Sequence, residues 1–87
     1  MAYELRFLPA AEKQLRALDG QTLRRILRKL AWIAQREDPL RHASVLHNPK
    51  IGSLRFRIGD YRAIAIVDQK GKRIAIAAIG YRRDIYR

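Results

Sequence analysis

The chain has 87 residues, nineteen basic against eight acidic, for a net charge of +11. A chain of this length forms one domain, 1–87, with a small core that buries only about 60–65% of the unfolded surface. The absence of cysteine excludes a disulfide framework and a thiolate metal site, and the longest purely apolar run, Ile74 to Ile79, falls far short of the ~20 residues that span a bilayer. So basic a domain favours polyanionic partners, nucleic acid or an acidic protein. The excess is +5 over residues 1–50 (ten basic, five acidic) and +6 over 51–87 (nine basic, three acidic), so it belongs to the folded body rather than to a tail. With no apolar leader region at the N-terminus, the expected location is the cytoplasm.

Residues 2–8 alternate weakly, Tyr3, Leu5 and Phe7 against Glu4 and Arg6, and read as a strand ended by Pro9. Proline suits the first turn of a helix, and Ala10 to Leu18 follows as a short one. Asp19-Gly20 breaks it, and a second helix begins at Gln21-Thr22. Its apolar positions are Leu23, Ile26, Leu27, Leu30, Ile33 and Ala34, the spacing of an amphipathic helix. The opposite face carries Arg24, Arg25, Arg28, Lys29 and Trp32. Two readings of Trp32 stand side by side: a ring lying on the stems of Arg25, Arg28 and Lys29, or an anchor for a protein partner. Residues 39–53, with both histidines, His42 and His47, read as a connecting loop with a short helical turn at Arg41 to Leu46. Strands at 54–58, 61–67 and 73–80 follow. The order predicts an α+β fold, β-α-α-β-β-β. Two N-terminal helices pack on one face of a small, mainly antiparallel, four-stranded sheet. Small residues at 63, 65, 75, 77 and 78 would let the helices approach closely.

The stretch Leu54-Arg-Phe-Arg-Ile-Gly-Asp-Tyr-Arg62 carries the most information. Period-two alternation puts Leu54, Phe56 and Ile58 on one strand face and Arg55 and Arg57 on the other. With Gly59-Asp60 as a two-residue loop, Ile58 pairs with Tyr61 and Arg57 lies opposite Arg62. Like charges directly opposite are destabilising. Such a patch makes sense where an anion sits on it, because planar guanidinium groups suit phosphate. The alternative is a solvated face whose arginines spread into water.

Two histidines five apart in a loop make no three-ligand metal site, and no nucleophile elbow or glycine-rich phosphate loop is present. Phosphodiester cleavage in RNA asks for less. The 2′-hydroxyl attacks its own 3′ phosphate, and arginines stabilise the charge that develops. Proton transfer is the harder requirement, since arginine is a poor base at neutral pH. Tyr61, Tyr81, Tyr86, His42 and His47 are the remaining candidates.

Three segments together, Pro9-Ala-Ala-Glu-Lys-Gln-Leu-Arg-Ala-Leu18, Leu54 to Arg62, and Ile79-Gly-Tyr-Arg-Arg-Asp-Ile-Tyr86, give a chain that resembles the RelE/ParE superfamily of toxin–antitoxin toxins. The RelE branch implies a metal-independent, cofactor-free endoribonuclease that cuts mRNA on the ribosome, leaving a 2′,3′-cyclic phosphate. By this resemblance the catalytic set is Arg55, Arg57, Arg62, Arg82 and Tyr86, with Tyr81, Arg83 and Arg87 as further RNA contacts. Many relatives have histidine where this chain has Tyr81. The ParE branch implies a poison of DNA gyrase, and a non-catalytic nucleic-acid-binding module is a third possibility. Either toxin implies an acidic antitoxin forming a hetero-oligomer, with Arg24, Arg25, Arg28 and Trp32 as one place for its helix. The hairpin register alone puts Tyr81 and Arg83, not Arg82, on the face of Arg62. A bulge at Gly80 is expected to reverse that.

Overall fold

A computed structural model describes residues 3–45 and 54–83. Strand β1 (Glu4–Phe7) leads into helices α1 (Pro9–Arg16) and α2 (Gly20–Ala34). A 3-10 turn (Pro39–His42) precedes β2 (Ala43–Val45), and β3 (Leu54–Ile58), β4 (Tyr61–Asp68) and β5 (Arg73–Tyr81) complete the chain. The sheet has five strands, not four, in the order β1-β5-β4-β3-β2. β2 is the strand that sequence patterning misses: Ala43-Ser-Val45 is too short to show a period, and it exists through its pairing with Phe56, Arg55 and Leu54. The helical turn expected at Arg41 to Leu46 sits earlier, at Pro39–His42. β1 joins the far edge, parallel to β5, and the remaining pairs are antiparallel.

Local chemistry explains both helix starts. Pro9 opens α1, where a missing N–H costs nothing. Asp19 caps α2, accepting from the Thr22 N–H at 2.8 Å and the Thr22 hydroxyl at 2.9 Å. Those bonds, with a smaller contribution from Arg25, hold the Asp19 carboxyl below its usual range. The helices cover one face of the sheet. Phe56, Ile26, Leu30, Ile33, Ile74 and Ile76 are fully buried between the layers, with Ala63 and Ala65 as the small residues beneath them. Ala75 and Ala78 pair with Ile66 and Ile64 and therefore face the other side, where they do not help the helices approach. On that outer side Ile64 is fully buried while Ile66 is 46% exposed.

The β4–β5 register changes between Ile64 and Ala65: Ile64 pairs with Ala78 but Ala65 with Ile76, which leaves Ala77 as the extra residue of a bulge. It sits where β5 loses its outer neighbour. The Leu8 N–H donates to Ile76 O at 2.9 Å, and the chain then turns away into α1. The side chain of Gln14 takes over, accepting from the Ile79 N–H at 2.6 Å. Gln14→Ala is expected to lose about 1–2 kcal/mol, because it strands a partly buried backbone donor. Gln14→Glu, which keeps the acceptor, should melt near the parent in thermal denaturation. Equal melting of the alanine and glutamate variants would contradict this role.

Candidate functional site

The β3–β4 hairpin builds the site. Gly59 has φ +59 and Asp60 does not share the positive φ, the pattern of a type II′ two-residue turn with glycine first. Such a turn sets the register on both sides: Ile58 pairs with Tyr61, Arg57 with Arg62, and Arg55 with Ile64. Residues directly opposite in an antiparallel pair share a face, so Arg55, Arg57 and Arg62 lie on the side away from the helices. Arg57 is exposed, and Arg55 and Arg62 are half-buried.

Arg62 is held in place. Its Nη1 donates to Gly59 O at 3.0 Å and to Tyr61 O at 2.8 Å. A guanidinium has five N–H donors, so the three on Nε and Nη2 remain for a ligand. The turn carbonyls thus pre-orient a planar cation at one end of the sheet.

The bulge decides which C-terminal residue emerges on the side of Arg62. With Ala77 inserted, Arg62 pairs with Gly80 and Tyr61 with Tyr81. Alternation then carries Arg82 to the side of Arg62, and the Arg82 N–H extends the ladder by donating to Asp60 O at 2.9 Å. The irregularity expected at Gly80 is therefore present three residues earlier, at Ala77, with the expected effect on register. Tyr81 goes the other way. Its ring meets Tyr61 edge-on, with centroids 5.6 Å apart and an interplanar angle of 89°, on the helix side of the sheet. Arg83 is exposed in the turn after β5. Tyr86, Arg87 and His47 lie outside the described residues.

His42 is not part of the arginine face. Its ring lies 4.9 Å from that of Trp32 in an edge contact, on the helix layer. Trp32 is 42% exposed, but the cations on it are Lys29 at 4.6 Å and Arg36 at 4.4 Å, not Arg25 and Arg28. Arg36 was the partner sequence reasoning missed, although its i+4 spacing from Trp32 was available as a signal. Among the described residues no group of three His, Cys, Asp or Glu side chains could hold a metal ion, and no helix is long and apolar enough to cross a membrane.

Two further surfaces involve the helix layer. An apolar groove runs between β1 and the helices, lined by Leu5, Phe7, Leu15, Leu23 and Leu27 and rimmed by Arg6, Arg16 and Glu12. An open basin at the start of α2 is lined by Arg24, Arg25 and Arg28 with Asp19 to Thr22.

Known proteins place this architecture. The toxin–antitoxin complex RelBE2 from Mycobacterium tuberculosis includes a chain similar at 24% identity with a TM-score of 0.78, covering 94% of this chain and 100% of that one. The archaeal RelE–RelB complex from Pyrococcus horikoshii is similar at 26% identity and a TM-score of 0.75, with 97% and 99% covered. A mutant of E. coli RelE in the free state is similar at 24% and 0.74, with 99% and 92% covered. No curated protein sequence matches the chain. Residues 5–86 match the model of the ParE toxin of type II toxin–antitoxin systems. With the sheet, the helix pair and nearly the whole length accounted for, the chain belongs to the ParE toxin family of type II toxin–antitoxin systems.

Proposed function

We propose that this toxin is an endoribonuclease that cleaves mRNA on the ribosome and so inhibits translation. The observation that carries this reading is the tethered Arg62 guanidinium, opposite Arg57, with Arg82 brought to its side by the Ala77 bulge. An end of a sheet so crowded with like charge is stabilised by an anion between them. In the reaction the 2′-hydroxyl of a nucleotide attacks the adjacent phosphorus. The 2′-hydroxyl gives up its proton as the O2′–P bond forms, the P–O5′ bond breaks, a 2′,3′-cyclic phosphate remains on one fragment, and the leaving 5′-oxygen takes up a proton. Arg62 and Arg82 hold the non-bridging oxygens, whose charge grows in the transition state. Arg55 or Arg57 assists proton transfer, and Tyr86 orients the attacking nucleotide or stacks on a base. The partner is an acidic antitoxin that neutralises the toxin in a hetero-oligomer. The apolar groove of Leu5, Phe7, Leu15, Leu23 and Leu27 suits the apolar face of its helix.

The family match favours a second reading, inhibition of DNA gyrase by protein contact, which needs no phosphate site. Primer extension on mRNA after induction of the toxin, beside a gyrase supercoiling assay, separates the two. Discrete new 5′ ends with supercoiling intact are the expected result. Intact mRNA with blocked supercoiling would transfer the assignment to gyrase.

A further inference from the structure

The outer stripe of α2 runs from Arg24 and Arg25 through Arg28 and Lys29 to Trp32, with Arg36 one turn further. From Arg24 to Trp32 it covers roughly 12 Å of helix. Its N-terminal end reaches the β3–β4 turn, at the end of the sheet whose other face carries the arginines. A β-carbon built on Gly59 would lie 3.9 Å from the central carbon of the Arg25 guanidinium, so Arg25 rests against the same turn whose carbonyl holds Arg62. The two basic surfaces therefore meet at the β3–β4 turn, one from the helix layer and one from the sheet.

One described acid lies beside the stripe, Asp19, which shares a basin with Arg24, Arg25 and Arg28 and interacts electrostatically with Arg25. The ion pairs among the described residues join Glu4 to Arg6 and Arg73, and Glu12 to Arg16. The Asp19 carboxylate accepts from Thr22 and keeps its charge, one acid against Arg24, Arg25, Arg28, Lys29 and Arg36, so the stripe stays strongly basic. Asp60, Glu37 and Asp38 form no ion pair with Arg24, Arg25, Arg28 or Arg36. The one large apolar group of the stripe, Trp32, has Lys29, Arg36 and His42 against its ring and stands as a single exposed ring among cations rather than as part of a continuous apolar strip. An amphipathic protein helix needs an apolar strip to lie on, and that strip is the groove of Leu5, Phe7, Leu15, Leu23 and Leu27, on a different side of α2.

We infer that the α2 stripe binds the phosphate backbone of structured RNA without reading its sequence, and that it extends the contact of the arginine face around the end of the sheet. A duplex strand presents one phosphate per roughly 3 Å of axis, so the stripe spans about four. The inference goes beyond the cleavage reading and stands separately from it: backbone binding by α2 requires no reaction at Arg62.

The test is fluorescence anisotropy of the purified full chain with a short RNA duplex between about 50 and 200 mM salt. Arg25→Gln with Arg28→Gln is expected to weaken binding at least tenfold at the middle of that range. It should also flatten the slope of log affinity against log salt by about two, at ~0.9 per lost phosphate contact. Lys13→Gln with Lys70→Gln, the same loss of charge elsewhere on the surface, should change the slope by less than half as much. Circular dichroism checks the fold; if the arginine pair fails to fold, Arg24→Gln with Lys29→Gln carries the same expectation. A parental slope in the stripe variant, or an equal flattening in the control, overturns the inference. So does a loss confined to a poly-glutamate peptide with RNA binding intact, which would give the stripe to an acidic protein. Uncut mRNA on ribosomes would end the cleavage reading and leave this slope difference standing.

Discussion

Arg62→Ala is expected to abolish growth arrest and to lower mRNA cleavage on translating ribosomes by about 10²–10³-fold. That is the cost of removing one pre-oriented donor from a developing oxyanion, ~3–4 kcal/mol in the barrier. Stability should barely move. The two bonds from Nη1 to Gly59 O and Tyr61 O join groups that water can reach, and a net contribution of about 1 kcal/mol is offset by relief of the repulsion between Arg57 and Arg62. A thermal melt close to the parent beside absent cleavage would separate chemistry from folding. Arg62→Lys should fall between, because lysine restores the charge without the planar fork. Parental cleavage by the alanine variant would remove Arg62 from the site. Inhibition of gyrase, if that is the activity, has no reason to depend on it.

Phe56→Ala should have the largest effect on stability. Phe56 is fully buried, and its neighbours in the pairing register are Ala43 and Ala63. Two alanines have no side-chain length with which to close the cavity, so the loss belongs at the upper end of the usual range, about 3–5 kcal/mol. Small domains have only about 5–15 kcal/mol in total. The melting temperature is expected to fall by roughly 15–30 °C, and urea unfolding would check it. A midpoint within experimental error of the parent would mean that the helices do not rest on this strand as the structure has it. Activity should fall with the fold, since Arg55 and Arg57 flank Phe56 on β3 and share its backbone.

What was legible in the sequence is what neighbouring residues decide among themselves. The Gly59-Asp60 turn and the alternation around it determine that Ile58 meets Tyr61 and Arg57 meets Arg62, because a two-residue loop leaves one register. The spacing of Leu23, Ile26, Leu27, Leu30 and Ile33 determines a buried helix face, and Asp19 its start. Tertiary structure decided the rest. β2 is a strand because β3 offers it hydrogen bonds. β1 lies parallel to β5 because the helices carry the chain back across the sheet. Trp32 rests on Lys29 and Arg36 because the end of α2 turns Arg36 back onto it, its Nε donating to Trp32 O at 3.1 Å. The same holds for the bulge at Ala77, which exchanges Tyr81 for Arg82 beside Arg62. One extra residue in a strand reverses every side chain beyond it, and here that residue sits where β5 loses β1 and gains Gln14, a partner 65 positions away from Ile79 in sequence. No local pattern encodes that meeting, so the side of the sheet on which Arg82 emerges depended on a contact that exists only in the folded chain.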